Sequence, residues 1–140
     1  MWPLNRLIRL FSKNQTAPAT GGRANILGPR GEKIACRFLR RAGFRILAKN
    51  YRCPVGEADI IALDARAGAI VFVEVKTRSS NAVVEPYSAV NADKKRRMKK
   101  IAAYYASKHP AGDYTIRFDI ISIVANPGGK PKIEHIDDAF

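Results

Sequence analysis

Asp59, Glu74 and Lys76 have the residue types and the spacing of a metal-dependent hydrolytic site. Two segments rich in β-forming residues flank the turn-like sequence Asp64–Gly68, which predicts a β-hairpin. With the centre of the turn between positions 66 and 67, Asp59 lies opposite Glu74 and Glu57 lies opposite Lys76. Because side chains alternate along a strand, these four side chains are expected on one face of the hairpin.

Two directly opposed carboxylates repel each other, since their Cβ atoms are about 4.5–5.5 Å apart. A divalent cation between them removes this repulsion, and carboxylate oxygens suit Mg²⁺ or Mn²⁺. Lys76 adds a positive donor beside an attacking water, so the pattern predicts metal-assisted hydrolysis of phosphodiester bonds. The alternative is a set of ordinary cross-strand charge pairs, each worth up to about 1 kcal/mol. Apolar residues on both faces of the hairpin argue against that alternative.

The hairpin motif resembles that of a known family. Gly56-Glu57-Ala58-Asp59-Ile60-Ile61-Ala62, followed by Val71-Phe72-Val73-Glu74-Val75-Lys76-Thr77-Arg78, is similar to the YraN family. The resemblance runs from about Gly28 to Phe140 and includes Arg117-Phe118-Asp119. The YraN family is grouped with the PD-(D/E)xK nucleases, near the archaeal Holliday-junction resolvases. Ala58 departs from the family motif, which favours a larger aliphatic residue, and by strand alternation Ala58 should point away from the site.

The resemblance implies an α/β fold of the restriction-endonuclease type. This fold has three α/β/α layers around a central mixed sheet, with a core order of α-β-β-β-α-β. It also implies that Asp59 and Glu74 bind the metal and that Lys76 is the catalytic lysine. Further candidates are the Val75 carbonyl and Glu32 as metal ligands, and Glu57 as a residue that tunes Lys76 or binds the metal through water. For Glu32, the alternative is a favourable interaction with the dipole of its own helix.

The elements that must position these residues follow from periodicity and turn residues. The pattern predicts helices over Glu32–Ala42 and Ser88–His109, a polar loop over Thr77–Pro86, and strands over Phe44–Tyr51, Tyr114–Val124 and Lys132–Ile136. Within the loop, Arg78 is expected to meet a phosphate, with a solvated arginine as the alternative. On the last core strand, an internal ion pair between Arg117 and Asp119 is the preferred interpretation.

The chain carries 25 Lys and Arg against 12 Asp and Glu, a net charge of +13. With a pI near 10.2, this excess predicts a polyanionic partner. The second predicted helix carries much of this positive charge. The residues of this helix predicted to contact backbone phosphates are Lys95, Arg96, Lys99 and Lys100. Lys94 precedes the apolar Met98 by one helical turn, so it is predicted to point towards the sheet as an accessory phosphate ligand. An anionic membrane surface and simple solubility are the alternatives to nucleic acid.

A chain of 140 residues favours one domain, here residues 28–140, preceded by a flexible basic arm over residues 1–27. Within the arm, Met1–Lys13 has the pattern of a short basic amphipathic helix. Its apolar run is too interrupted and too short to span a bilayer, so no stable membrane insertion is expected. Cys36 and Cys53 form no disulfide framework, which favours a reducing compartment and a cytoplasmic location.

These observations predict an endonuclease dependent on Mg²⁺ or Mn²⁺. Branched or junction DNA is a candidate substrate, and DNA is expected ahead of RNA. A non-catalytic nucleic-acid-binding module on a nuclease fold is the alternative, and a membrane-surface adaptor that uses Met1–Lys13 is a third hypothesis. A homodimer is a further expectation, since two cuts across a junction favour paired subunits.

Overall fold

The computed structural model describes residues 27–80 and 92–140, which form two helices and five strands. In chain order they are α1 (Leu27–Arg41), β1 (Arg45–Cys53), β2 (Gly56–Asp64), β3 (Ala69–Ser79), α2 (Ala92–Lys108), β4 (Thr115–Ala125) and β5 (Lys132–Ile136). The predicted arm over residues 1–27 lies outside the described residues, apart from Leu27 at the start of α1. The predicted amphipathic helix over Met1–Lys13, on which the membrane-adaptor hypothesis depends, lies outside them as well.

The five strands form one mixed sheet in the order β1-β2-β3-β4-β5. Neighbouring strands are antiparallel except for β3 and β4, which are parallel along the whole of β3. A parallel pair needs a crossover connection, and α2 lies in that connection. The β2–β3 turn is closed locally, because Asp64 Oδ1 accepts a hydrogen bond from the Ala67 N–H at 3.1 Å. The predicted hairpin and the predicted element order are confirmed.

The two helices cover opposite faces of the sheet. On one face, Ala35 and Leu39 of α1 belong to the same buried cluster as Val71 and Val73 of β3. On the other face, α2 packs against alternate residues of the same strand, and the side chains that share this second cluster are Ile70, Phe72, Met98, Ile101, Ala102 and Tyr105. Burying each large apolar side chain stabilises the fold by about 1.5–3 kcal/mol. The predicted three-layer α/β/α architecture is therefore confirmed.

Two predicted boundaries need correction. The first helix begins at Leu27, five residues before the predicted start at Glu32. The predicted loop over Thr77–Pro86 was wrong for Thr77–Ser79, because these residues continue β3 and pair with β4 as far as Ala125. The remainder of that loop and the first residues of the predicted second helix lie outside the described residues. The short edge strand over Lys132–Ile136 is confirmed.

Candidate active site

The register of the β2–β3 hairpin is the predicted one. Ile60 pairs with Val73 and Leu63 pairs with Ile70, and Asp59 and Glu74 are the first residues beyond the end of this pairing on their two strands. Beyond this pairing, a side chain instead of the backbone links the two strands, because Asp59 Oδ2 accepts a hydrogen bond from the Val75 N–H at 2.8 Å. This bond holds the Asp59 carboxylate against the backbone of the residue that follows Glu74.

Glu74 is a buried carboxylate with only one satisfied oxygen. The residue is 7% exposed, on the face of the sheet that α2 covers. Its Oε1 atom forms an ion pair with Lys94 of α2 and lies 3.9 Å from Lys76 Nζ. Its Oε2 atom is buried and has no hydrogen-bond partner among residues 27–80 and 92–140. A buried carboxylate oxygen without a donor is costly, so this atom is a position where a cation would be stabilised.

The pKa of Asp59 shows that the acids of the site repel one another. Burial is the largest cause of its rise from 3.8 to about 6. The Val75 N–H and Lys94 oppose the rise, whereas the charges of Glu32 and Glu74 add to it. Asp59 is therefore within electrostatic reach of an acid on α1 and of a lysine on α2. A cation shared by Asp59 and Glu74 would remove the repulsion between them.

The position of Glu32 excludes one of the two explanations for it. Helix α1 begins at Leu27 and has no acidic residue in its first turn, whereas the dipole effect is confined to that turn. The preceding residue, Gly31, is buried where α1 approaches β3, and a Cβ atom there would overlap the Thr77 side chain. This close approach places Glu32 within the electrostatic reach of Asp59. Its role as a metal ligand stays a prediction.

Strand alternation fails beside Asp59, and two predictions fail with it. Ala58 and Ile61 belong to the same buried cluster on the α2 face, although strict alternation would separate them. On β1, the partner strand, Asn50 has a positive φ of 47°, which interrupts the regular pleat at the same level. Ala58 therefore lies on the α2 face, so the prediction that it points away from the side of Glu74 was wrong.

Glu57 is also displaced from its predicted neighbour. Its exposed carboxylate lies 3.4 Å from the Arg52 guanidinium, and the ion pairs of the described residues include none between Glu57 and Lys76. The neighbours of Glu57 along the strand, Gly56 and Ala58, both face α2, so Glu57 points to the other face and the shared face predicted with Lys76 was wrong. The accessory role of Glu57 stays a prediction.

A second acidic cluster lies on the α1 face, centred on the buried Asp119. Arg117 donates two hydrogen bonds of 2.9 Å to its carboxylate, which confirms the predicted ion pair. His135 Nε2 lies 2.8 Å from Asp119 Oδ2, and the Asp138 N–H donates to Oδ1 at 3.1 Å. Arg117 also binds Asp64 at 3.0 Å. No local pattern indicates the contacts of His135 or Asp64, because these contacts depend on the register between strands that are distant in the chain.

The basic residues predicted to meet phosphates differ in their surroundings. Lys99 and Lys100 are exposed on α2. Arg96 is exposed as well, but it forms an ion pair of 2.6 Å with Asp93. The Lys95 amine lies 5.8 Å from the centre of the Phe140 ring, and Arg78 is half-buried on β3. Neither helix of the described residues is long and apolar enough to cross a membrane.

Side chains of the described residues supply only some of the ligands that a divalent ion needs. Within residues 27–80 and 92–140, no three His, Cys, Asp or Glu side chains lie close enough together to hold a metal. What fits is the pair of carboxylates, since one has an unsatisfied buried oxygen and the other has a pKa raised to about 6. Mg²⁺ is often held by one or two carboxylates, with water and phosphate oxygens as its other ligands.

The fold and the paired acids define a three-layer α/β protein with a candidate site beside a β-hairpin. Residues 31–123 match the family described as Uncharacterised protein family UPF0102, and the chain belongs to this family, which confirms the YraN resemblance. A UPF0102 protein of Nocardia farcinica is 41% identical over 89% of this chain and 97% of its own length. Another, from Geotalea daltonii, is 46% identical over 81% of this chain and 88% of its own length. The family is consistent with the nuclease superfamily that the resemblance implied.

Proposed function

We propose that the protein is a metal-dependent endonuclease that hydrolyses phosphodiester bonds of nucleic acids with Mg²⁺ or Mn²⁺. One observation carries the proposal: Glu74 is buried with an unsatisfied Oε2 atom, and the N–H of the next residue, Val75, holds the Asp59 carboxylate, whose pKa is raised to about 6. Exposed cross-strand charge pairs have neither property. Acids held in such surroundings are characteristic of functional sites.

The ligands offered by this chain would be Asp59 and Glu74, with the Val75 carbonyl and Glu32 as further candidates. When bound, the ion supplies a Lewis acid and lowers the pKa of a coordinated water. Asp59 is oriented for this role by the hydrogen bond from the Val75 N–H. Glu74 is oriented by its burial between the sheet and α2. Both carboxylates are thus held in place before a ligand arrives.

Lys76 is the candidate catalytic residue. Its amine is half-buried and lies 3.9 Å from Glu74 Oε1, so the negative charge of Glu74 keeps the protonated amine at the site. In this position the ammonium group can orient an attacking water and stabilise the charge that develops on the phosphate. Lys76 follows Glu74 by two residues on one strand, and this spacing places both side chains on the α2 face.

The substrate would be drawn to the site by the basic face of α2. Lys95, Lys99 and Lys100, together with Arg96 and with Arg78 of β3, are the residues proposed to neutralise backbone phosphates. Such contacts position nucleic acid without reading its sequence. The resemblance favours DNA over RNA, with branched or junction DNA as a candidate substrate and a homodimer as the active form. The free thiols of Cys36 and Cys53 fit a cytoplasmic location.

The test is a cleavage assay on linear, nicked, branched and single-stranded DNA and RNA, with Mg²⁺ or Mn²⁺. We expect metal-dependent cleavage by the native protein and a loss of at least about 100-fold in Glu74→Gln and Lys76→Met. Asp113→Asn, which changes an exposed carboxylate in the turn before β4, is the matched control and should retain full activity. Cleavage that survives in Glu74→Gln, or that is absent from the native protein with every substrate, contradicts the proposal.

A second candidate function is a non-catalytic nucleic-acid-binding module. The ion pair between Lys94 and Glu74 favours it, because a lysine can neutralise the buried carboxylate without a metal. In that case the native protein binds DNA with an affinity that does not depend on divalent metal. The affinity should then fall in Lys99→Ala and Lys100→Ala and remain unchanged in Glu74→Gln. Metal-dependent cleavage by the native protein would exclude this candidate.

A further inference from the structure

Lys94 approaches the candidate site from a different layer of the fold. It is the third residue of α2, and its side chain forms an ion pair with Oε1 of Glu74 on β3. The buried Met98 lies one helical turn further along and fixes this side of the helix against the sheet. Lys94 is therefore held over Glu74 by the packing of α2.

The two members of this ion pair differ in their access to solvent. The side chain of Glu74 is 9% exposed, whereas that of Lys94 is 44% exposed. Lysine has a compact charge on a flexible four-carbon chain, so its amine can move while its backbone stays in place. Glu74 cannot leave the sheet, but Lys94 can turn towards solvent or towards a bound phosphate.

Lys94 and a divalent ion would compete for the same carboxylate. With Lys94 in place, part of the negative charge at Glu74 is already neutralised. A metal that enters this site must overcome the repulsion of an ammonium group beside its ligands. A phosphate near the start of α2 would attract that ammonium group, and the other basic residues of the helix would strengthen the attraction.

We infer that Lys94 is an exchangeable counter-ion, which holds Glu74 when the metal is absent and transfers to a substrate phosphate when the metal enters. Lys94 is then a positioning residue that makes metal and nucleic acid bind cooperatively. By thermodynamic linkage, each ligand raises the affinity for the other by the same factor. This inference rests on the proposed function, because it requires a metal at Asp59 and Glu74.

The experiment measures Mn²⁺ affinity by calorimetry on the full chain without nucleic acid. The variants are Lys94→Met and Lys94→Gln, in which Gln keeps a neutral donor for Glu74 in case the Met variant does not fold. Lys108→Met is the matched control, since it removes the same charge from the far end of α2, about 21 Å away. We expect Mn²⁺ to bind both Lys94 variants about tenfold more tightly than the native protein and to bind the control unchanged.

The second measurement repeats the Mn²⁺ titration with a short DNA duplex at saturating concentration. DNA should raise the Mn²⁺ affinity of the native protein and of Lys108→Met about tenfold, which is within the usual range of coupling between sites. It should raise the Mn²⁺ affinity of the Lys94 variants by much less. A purely structural role for Lys94 would not produce this loss of coupling.

Each outcome decides the inference. Equal or weaker Mn²⁺ binding by the Lys94 variants overturns the exchange of counter-ions while leaving the metal site intact. Tighter Mn²⁺ binding with unchanged coupling to DNA also overturns it, because the lysine would then block the metal without transferring to phosphate. If the native protein and all variants fail to bind Mn²⁺, the proposed function fails and the inference fails with it.

Discussion

The two acidic clusters, on opposite faces of one sheet, show opposite solutions to the burial of a carboxylate. Burial acts to raise the pKa of Asp119, but hydrogen bonds from His135, Arg117 and the Asp138 N–H hold it below its ordinary value. Burial also acts to raise the pKa of Asp59, and there the result is a value of about 6. The carboxylates differ mainly in their partners.

This difference separates an acid that serves the fold from one that is available to a ligand. Both oxygens of Asp119 accept hydrogen bonds from its own chain, and Arg117 neutralises its charge. Among the described residues, the Glu74–Asp59 site keeps one buried oxygen unsatisfied, and it holds the second carboxylate against the N–H of the residue after Glu74. Proteins tolerate such local conflict mainly at functional sites. The comparison therefore gives a physical reason for locating the chemistry at Asp59 and Glu74.

The largest change in the free energy of unfolding is expected at the Asp119 cluster, where both carboxylate oxygens accept hydrogen bonds. Asp119→Ala leaves the Arg117 guanidinium without its main partner, so we expect the free energy of unfolding to fall by about 3–5 kcal/mol. Urea denaturation measures it. The matched control is Glu57→Ala, which breaks an exposed ion pair with Arg52 and should cost less than about 1 kcal/mol. Similar losses in the two variants would contradict the structural role of Asp119.

At the candidate site, removal of a carboxylate charge is expected to raise the free energy of unfolding. Asp59→Asn removes a half-buried charge, while its amide oxygen can still accept a hydrogen bond from the Val75 N–H. Without metal, the variant should be more stable than the native protein at pH 8, by up to about 3 kcal/mol, since each pKa unit corresponds to about 1.4 kcal/mol. Urea denaturation without metal provides the measurement. A less stable variant would show that the charge of Asp59 supports the fold.

The two acids should also give opposite dependences of stability on pH. The folded-state pKa of Asp59 is above its unfolded value, so the folded state holds the proton more tightly. Its stabilising effect is complete below about pH 4 and is lost as the pH rises through about 6. The folded-state pKa of Asp119 is below its unfolded value, so its contribution is present above about pH 4 and is lost as the pH falls through the folded value.

Urea midpoints from pH 3 to pH 8, measured without metal, test these opposite slopes. Asp59→Asn should remove the decline between about pH 4 and pH 6 and keep the decline in acid. Asp119→Asn should flatten the decline in acid. A native profile in which Asp59→Asn changes nothing between about pH 4 and pH 6 would contradict the raised pKa of Asp59.

The smallest expected effect comes from His135. His135→Gln removes the imidazole but keeps a donor for Asp119, so the free energy of unfolding should fall by about 1 kcal/mol. Thermal or urea denaturation at pH 7 measures the change. The ring also lies edge-on to Phe38 and Phe44, with centroids 6.0 and 5.7 Å away. A loss as large as that of Asp119→Ala would mean that His135, rather than Arg117, is the main partner of Asp119.

Short-range patterns were sufficient to predict the hairpin that carries the candidate site. The turn after Asp64 fixes the hairpin register, which pairs the two strands as far as Ile60 and Val73. The position of Lys94, one helical turn before the apolar Met98, was enough to predict that Lys94 points towards the sheet, where it forms an ion pair with Glu74. Both predictions depend on geometry within a single supersecondary unit, which sequence periodicity describes directly.

The failures come from contacts between distant parts of the chain. Ala58 was assigned to the wrong face because the alternation of β2 is interrupted between Ala58 and Ile61, and no local pattern in the sequence marks that interruption. Thr77–Ser79 have the composition of a loop, but pairing with β4 makes them strand. His135 meets Asp119 only because β5 pairs with β4 in one register. Tertiary context thus overrides local preference at each of these positions.

The missing side chain of Gly31 sets the distance between α1 and β3. Because Gly31 has no side chain, the backbone of α1 comes directly against the Thr77 side chain of β3. A methyl group at this position would act as a spacer, and it would force Thr77 to rotate or lift the start of the helix. Glu32, the next residue, would then recede from Asp59 although every ionisable group of the protein was retained. The small size of Gly31 thus sets how strongly the charge of Glu32 acts on Asp59.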